Sequence, residues 1–204
     1  GGKCNTDRDR FPLHSQGFFA MIEKRAPDRG DTVRRMKGRN AFMRGMRNGK
    51  RQTSYDRARE ILKQAAYGVL STSCEDGLPY GVPLCHVLTG NSIYFHCAAE
   101  GQKLDNLMRD GRACLTVVSA AKNLGNRLSM AYESAMAFGV VRLVYGEDER
   151  LAAMRLLSDK YAPDLKREEL ERYIGRQGAD TMILRMEVEY IVGKAGHPEE
   201  LKGL

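Results

Sequence analysis

No stretch of this 204-residue sequence approaches the roughly 20 consecutive apolar residues that a membrane-spanning helix requires. A membrane protein is not expected. No charged start followed by a short apolar segment marks a secretory signal. The five cysteines (Cys4, Cys74, Cys85, Cys97 and Cys114) are odd in number and contain no Cys-x-x-Cys pair. That spacing favours neither a disulfide framework nor a zinc site, and thiols set in apolar stretches behave as small hydrophobes. A reduced, cytoplasmic protein without a metal centre is the expectation. The glycine-rich dinucleotide fingerprint is missing and few helices separate the strands, which argues against a Rossmann sheet. Neither an aromatic-rich RNA motif nor a helix-turn-helix is visible, so nucleic-acid binding is not expected.

Hydrophobic residues make up 42% of the chain and charged ones 29%, as in an ordinary globular protein. The formal charge of +7 is unevenly spread. Residues 1–51 hold 14 Lys/Arg against 5 Asp/Glu, whereas the remaining 153 residues hold 19 against 21. The body is thus slightly acidic and the basicity belongs to the leader. Apart from an apolar patch at 17–22, residues 1–50 lack the periodicity to bury a core, and they read as a disordered leader. The chain opens on glycine, and Met43 and Met46 offer alternative starts, so this leader also reads as a processed or gene-calling extension. Residues 51–204 form the expected domain.

Within that domain Ser54 precedes an amphipathic pattern that predicts a capped helix to about Gln64. Residues 67–73 read as a strand closed by an Asp76-Gly77 turn. Residues 78–88 read as a second strand, in which Pro79 and Pro83 demand an edge, a bulge, or backbone groups that serve something else. A third strand covers 92–97, and 101–109 has helical spacing with Leu104 and Leu107 on one face. A strand over 113–119, a loop through 120–127 and a long strand over 134–145 follow. Helices are expected at 147–161 and 168–174, and a last strand at 181–192. Met136, Met182 and Met186 sit at strand alternation and are expected in the core. Six strands, early hairpins and few helices predict a mainly β fold, an antiparallel barrel with helical decoration.

Four blocks carry a more specific signal. The first is Asp76-Gly77-Leu78-Pro79-Tyr80-Gly81-Val82-Pro83-Leu84. The second is Ile93-Tyr94-Phe95-His96-Cys97-Ala98, followed by Gly101-Gln102-Lys103-Leu104-Asp105-Asn106-Leu107. The third is Tyr132-Glu133-Ser134-Ala135-Met136-Ala137-Phe138-Gly139 with Gly146-Glu147-Asp148, and the fourth is Val192-Gly193-Lys194. In this order they resemble the pyridoxamine 5′-phosphate oxidase-related FMN-binding proteins, nitroimidazole-resistance (Nim-type) branch, over most of residues 50–196. The resemblance implies a six-stranded split barrel that dimerises and binds FMN at the subunit interface. It also implies an FMN-dependent oxidoreductase, in which NAD(P)H reduces FMN and electrons pass to a small acceptor of nitroaromatic type. Pyridoxamine 5′-phosphate oxidation, or a non-catalytic flavin or haem carrier, are the alternatives. The sequence departs from the pattern in three places. Cys85-His86 replaces the Asn-Phe of the branch. Gly101-Gln102-Lys103 replaces a Ser-Arg-Lys phosphate clamp, and the oxidase's C-terminal Arg-His pair is missing.

Carried onto this chain, the resemblance yields a candidate site. An FMN phosphate needs a cation and donors, which Lys103, Gln102 and the amides opening their helix would supply. Pro83, Leu84, Cys85 and His86 are expected to offer backbone contacts to the ring edge. The His86 side chain is expected either to point toward the ring or to stand exposed on its strand. Cys97 and Ala98 are expected near the polar edge of the flavin or its ribityl chain, with barrel filling as the alternative for Cys97. Ser134 stands where the family has a flavin-contacting glutamine, and Lys194 completes the cofactor set. His96 is the catalytic candidate, an imidazole that positions a substrate or donates a proton; a strand histidine bonded to a backbone carbonyl is its structural alternative.

Overall fold

The computed structural model describes residues 45–125, 127–177 and 181–202, without side chains at 174–177. The leader up to residue 44, including Met43 and the patch at 17–22, lies outside the described residues.

Helix α1 (Tyr55–Gln64) begins as its sequence predicts, with the Ser54 hydroxyl accepting the Arg57 N–H at 3.2 Å. Ala58, Ile61 and Leu62 share one face and are buried. That face lies on the sheet at Gly193, where any side chain would collide with Thr53 and Ala58. Strands β1 (Gly68–Ser73) and β2 (Pro79–Leu84) form a hairpin. Its turn holds Gly77 at φ +86° and fixes the Leu78 amide to Asp76 Oδ1 at 3.0 Å. There follow β3 (Val87–Thr89), β4 (Ser92–Ala98), α2 (Gln102–Arg109), β5 (Arg112–Leu124) and β6 (Ser129–Leu143). Helices α3 (Glu147–Tyr161) and α4 (Arg167–Gln177) precede β7 (Thr181–Gly196).

All strand pairs are antiparallel, in the order β2-β1-β5-β6-β7-β4-β3. The two edge strands, β2 and β3, are joined by Cys85 and His86 alone. So short a link requires the sheet to curl until its edges approach, which makes a split barrel. Among the described residues the strand count is therefore seven rather than six, because the run expected over 78–88 breaks in two. Pro83 has no N–H for a ladder. The His86 backbone is taken by α3 instead: its amide donates to Tyr161 Oη at 2.9 Å, and its carbonyl accepts from Lys160 Nζ at 3.0 Å.

The loop expected over 120–127 is mostly strand. Strand β5 continues to Leu124 and pairs back to Ser129, after a bulge between Val118 and Ala120. Lys122 and Asn123 are exposed on this extension, so their polarity read as a loop. Leu70, Phe95, Leu115, Val117, Leu184 and Met186 fill the barrel. A second cluster, from Met154 and Leu157 to Ile183, seats α3 on the outside. Met182 and Met186 are core residues, but Met136 is 37% exposed. Strand alternation turns Ala135 and Ala137 inward, and so turns Met136 out. No helix among the described residues is long and apolar enough to cross a membrane.

Candidate functional site

The sequence-derived candidates fall into two groups at opposite ends of β7 and a third set, Pro83 to His86, at the link between β2 and β3. The first gathers around the start of α2. Gly101 caps that helix at φ +122°, a backbone conformation that favours glycine. The Leu104 amide bonds back to the Gly101 carbonyl at 2.8 Å, while the amides of Gln102 and Lys103 have no acceptor within the helix. Helix geometry thus presents free N–H groups and a positive dipole end at the place where Lys103 stands half-buried.

Lys103 lies beside Cys97, whose thiol faces the barrel interior and is 8% exposed. Burial pushes the Cys97 thiol up, and the Lys103 ammonium works against that shift. Gln102 is exposed, but its amide is engaged: Nε2 donates to Asn106 Oδ1 at 2.8 Å. Asn106 in turn donates to Thr72 Oγ1 at 3.0 Å, and it is 2% exposed. This buried amide fastens α2 to β1. In the sequence Asn106 is marked only by its place in the second motif block, three residues after Lys103 and between Leu104 and Leu107.

His96 and Ala98 are exposed and alternate with the inward Phe95 and Cys97. Their side chains therefore lie on the opposite face of β4 from the Cys97 thiol. The ring of His96 is open to solvent, on the face where its neighbour Tyr94 donates to Glu149 at 2.8 Å. Glu149 also pairs with Arg185 at 2.8 Å, so α3 is stapled to this face.

In the link between β2 and β3 the four candidates divide. Pro83 is exposed on the outer face, and Leu84 packs against the core. Cys85 is half-buried beside Lys160 and Tyr161. His86 is neither exposed nor turned outward. It is fully buried, and its Nε2 meets the Leu62 carbonyl at the end of α1 at 2.7 Å. Burial, with a smaller contribution from Lys160, lowers its pKa to about 4 against the pull of that hydrogen bond. The ring is thus a neutral tie between α1 and the strand link, and both backbone groups of His86 are engaged by α3.

Ser134 and Lys194 form the second group. They are cross-strand partners, with Ser134 Oγ 3.4 Å from the Lys194 carbonyl and Lys194 Nζ over the Tyr132 ring. Cys97 pairs with Met182 near the other end of β7. Twelve residues of strand, about 40 Å of contour at roughly 3.3 Å per residue, separate Met182 from Lys194, so the two groups lie at opposite ends of β7. Between the two groups the outer sheet face is apolar. Val69, Val118, Met136 and Tyr190 are exposed there on four neighbouring strands, with Thr116 and Phe138 between them. Among the described residues no cluster of three His, Cys, Asp or Glu side chains could hold a metal ion.

The family model of pyridoxamine 5′-phosphate oxidase matches residues 54–195. The chain belongs to this family. Solved structures of similar fold agree with the membership. A candidate 5-nitroimidazole antibiotic resistance protein from Bacteroides thetaiotaomicron has a TM-score of 0.58 at 22% identity, over 70% of this chain and 84% of that one. A conserved hypothetical protein from Mycobacterium tuberculosis has a TM-score of 0.64 at 14% identity, over 78% and 96%. The FAD and heme binding protein from Mycobacterium smegmatis has a TM-score of 0.58 at 20% identity, over 72% and 74%. At these identities the likeness is one of fold. No curated protein matches in sequence. The matched segment of this pyridoxamine 5′-phosphate oxidase family member takes in both groups of candidates, from the start of α1 to Lys194.

Proposed function

We propose that this protein is an FMN-dependent oxidoreductase of the Nim-type branch, acting as a homodimer and passing electrons from NAD(P)H to a small nitroaromatic-type acceptor. The observation that carries the reading is Lys103, a half-buried cation at the free amide end of α2. A phosphate there meets a charge-assisted donor and backbone N–H groups together. Because Gln102 is tied to Asn106, the amides of Gln102 and Lys103 take the larger share of the donor role. FMN, once bound, supplies hydride and electron transfer at its ring. The exposed His96 then holds a proton for the acceptor on the open face of β4.

The distance between the two groups supports the dimer. Lys103 with Cys97 and Ala98 belongs to one end of the barrel, and Ser134 with Lys194 to the other. A two-fold pairing through the apolar face of β1, β5, β6 and β7 brings one end of each chain toward the opposite end of its partner. Ser134 and Lys194 then reach the flavin held by the other subunit's Lys103. Exposed apolar area of this kind is characteristic of an interaction face.

The visible spectrum of the purified protein tests the reading. Oxidised-flavin bands that bleach on anaerobic addition of NADH or NADPH are expected. A Soret band, or no flavin after incubation with FMN, contradicts it.

A further inference from the structure

Strands β5 and β6 run on together after their neighbours have ended. β1 pairs with β5 no further than Val117, and β7 with β6 no further than Tyr132, whereas β5 and β6 stay in register from Ala120–Glu133 to Leu124–Ser129. A two-stranded hairpin alone is barely stable in water. This one is braced on its inner side, where Leu124 and Ala131 are buried. The C-terminal turn Pro198–Leu201 adds to the brace: Arg127 pairs with Glu200 at 3.5 Å, and Lys122 Nζ donates to the Glu200 carbonyl at 3.4 Å. The outer side is open. Met130 is 45% exposed, and Leu128, in the turn, is fully exposed. Strand alternation puts Met130 on the same face as Tyr132, Ser134 and Met136, so the apolar outer face of the sheet continues onto the hairpin.

We infer that this hairpin is an arm that reaches the other subunit of the dimer and supplies, through Leu128 and Met130, the apolar wall of that subunit's acceptor pocket beside His96. The inference rests on the homodimeric flavin reading given above. Path lengths along the strands carry it. Val69, Thr116, Met136 and Val192 form one cross-strand row through the middle of the apolar face. From that row Leu128 lies eight residues away along β6 in one direction, and Met182, cross-strand from Cys97, lies ten residues away along β7 in the other. At roughly 3.3 Å per residue these spans are similar, about 26 Å and about 33 Å. A two-fold pairing centred on this row with the ends exchanged therefore sets the hairpin turn of one chain level with Cys97, and so with His96 and Ala98, of the other. In the single chain His96 and Ala98 stand open to solvent. Electron transfer from a reduced flavin to a small acceptor favours a site closed to water, and a flat aromatic acceptor needs apolar surface around it. The exposed side chains of the arm supply both.

The chain contains no tryptophan, so Leu128→Trp places a single indole at the tip of the arm. Its emission is expected to lose most of its intensity when FMN is added, by energy transfer to the flavin of the other subunit. Exchange with an excess of flavin-free Lys103→Ala chains is expected to restore it. The double variant Leu128→Asp/Met130→Asp changes two exposed positions. It is expected to stay a dimer in sedimentation velocity and to keep its flavin, with a KM for a nitroaromatic acceptor raised about tenfold, the scale of lost apolar pocket contacts. A monomeric or flavin-free native protein overturns the inference together with the reading beneath it. In a flavin-loaded dimer, an indole that is not quenched, quenching that survives the exchange, or a native KM in the double variant overturns the arm alone.

Discussion

The buried imidazole of His86 and the carbonyl of Leu62 meet at 2.7 Å, joining the end of α1 to the two-residue link that closes the barrel. The ring stays neutral in the fold because burial holds its pKa at about 4, while an unfolded chain restores it to about 6.5.

This makes His86 a source of acid sensitivity. The unfolded chain takes up the proton first, so the stability from a neutral His86 is complete above pH 6.5. It declines as pH falls toward 4, by about 3 kcal/mol in all. Lys160 adds to the effect, since its Nζ is bonded to the His86 and Ala65 carbonyls, and Cys85 and Tyr161 are the other titratable groups packed against the link. Urea unfolding of His86→Gln, which keeps a donor for Leu62, is expected to show a shallower loss between pH 6.5 and 4.5 than the native chain. Equal slopes would remove His86 from this role.

Asn106 bridges Gln102 on α2 and Thr72 on β1 from a fully buried position. Asn106→Ala leaves the Thr72 hydroxyl without this partner and is expected to cost about 1–3 kcal/mol. Flavin content is expected to fall with it, because the start of α2 loses its tether. Thermal unfolding and the ratio of flavin to protein absorbance read the two effects separately.

His96→Ala removes a solvent-open ring on the outer face of β4. The variant is expected to keep its melting temperature and its flavin, and to lose ten-fold or more of its turnover with nitroaromatic acceptors, within the usual range for general acid catalysis at about 10²–10⁴. Unchanged turnover would return His96 to the structural class.

Met136 stands in the centre of the apolar outer face, cross-strand from Thr116 and Val192. Met136→Lys is expected to convert a dimer to a monomer in sedimentation velocity. It is also expected to release flavin, because Ser134 and Lys194 then lose contact with the other subunit's site. A monomeric native protein, or a monomeric variant that retains full flavin, would contradict the shared site.

Much of this fold was legible because periodicity reports burial. The inward run Met182, Leu184, Met186 and Val188 of β7 and the capped start of α1 at Ser54 follow from spacing and residue type, whereas Tyr190, next in the same alternation, is turned outward by the bulge opposite Phe138 and Gly139. What misled was polarity without tertiary context. Lys122 and Asn123 lie on a paired extension that protrudes into solvent, and Met136 serves an outer face rather than the core. His86 escaped for a different reason. A histidine in a broken strand carries no local sign that a carbonyl 24 residues earlier will receive its ring nitrogen. The motif blocks located Lys103 and its helix, but its proximity to Cys97 and its distance from Lys194 exist only in the folded barrel.

The central claim, that Lys103 receives the phosphate of FMN, is tested most directly by comparing FMN with riboflavin, which lacks that phosphate. Both dissociation constants are measured by fluorescence quenching on the native protein and on Lys103→Ala. The native chain is predicted to bind FMN at least tenfold more tightly than riboflavin, on the scale of about 1.5–3 kcal/mol for a charge-assisted hydrogen bond, and the variant to lose most of that preference. An undiminished preference for FMN in Lys103→Ala would contradict the account.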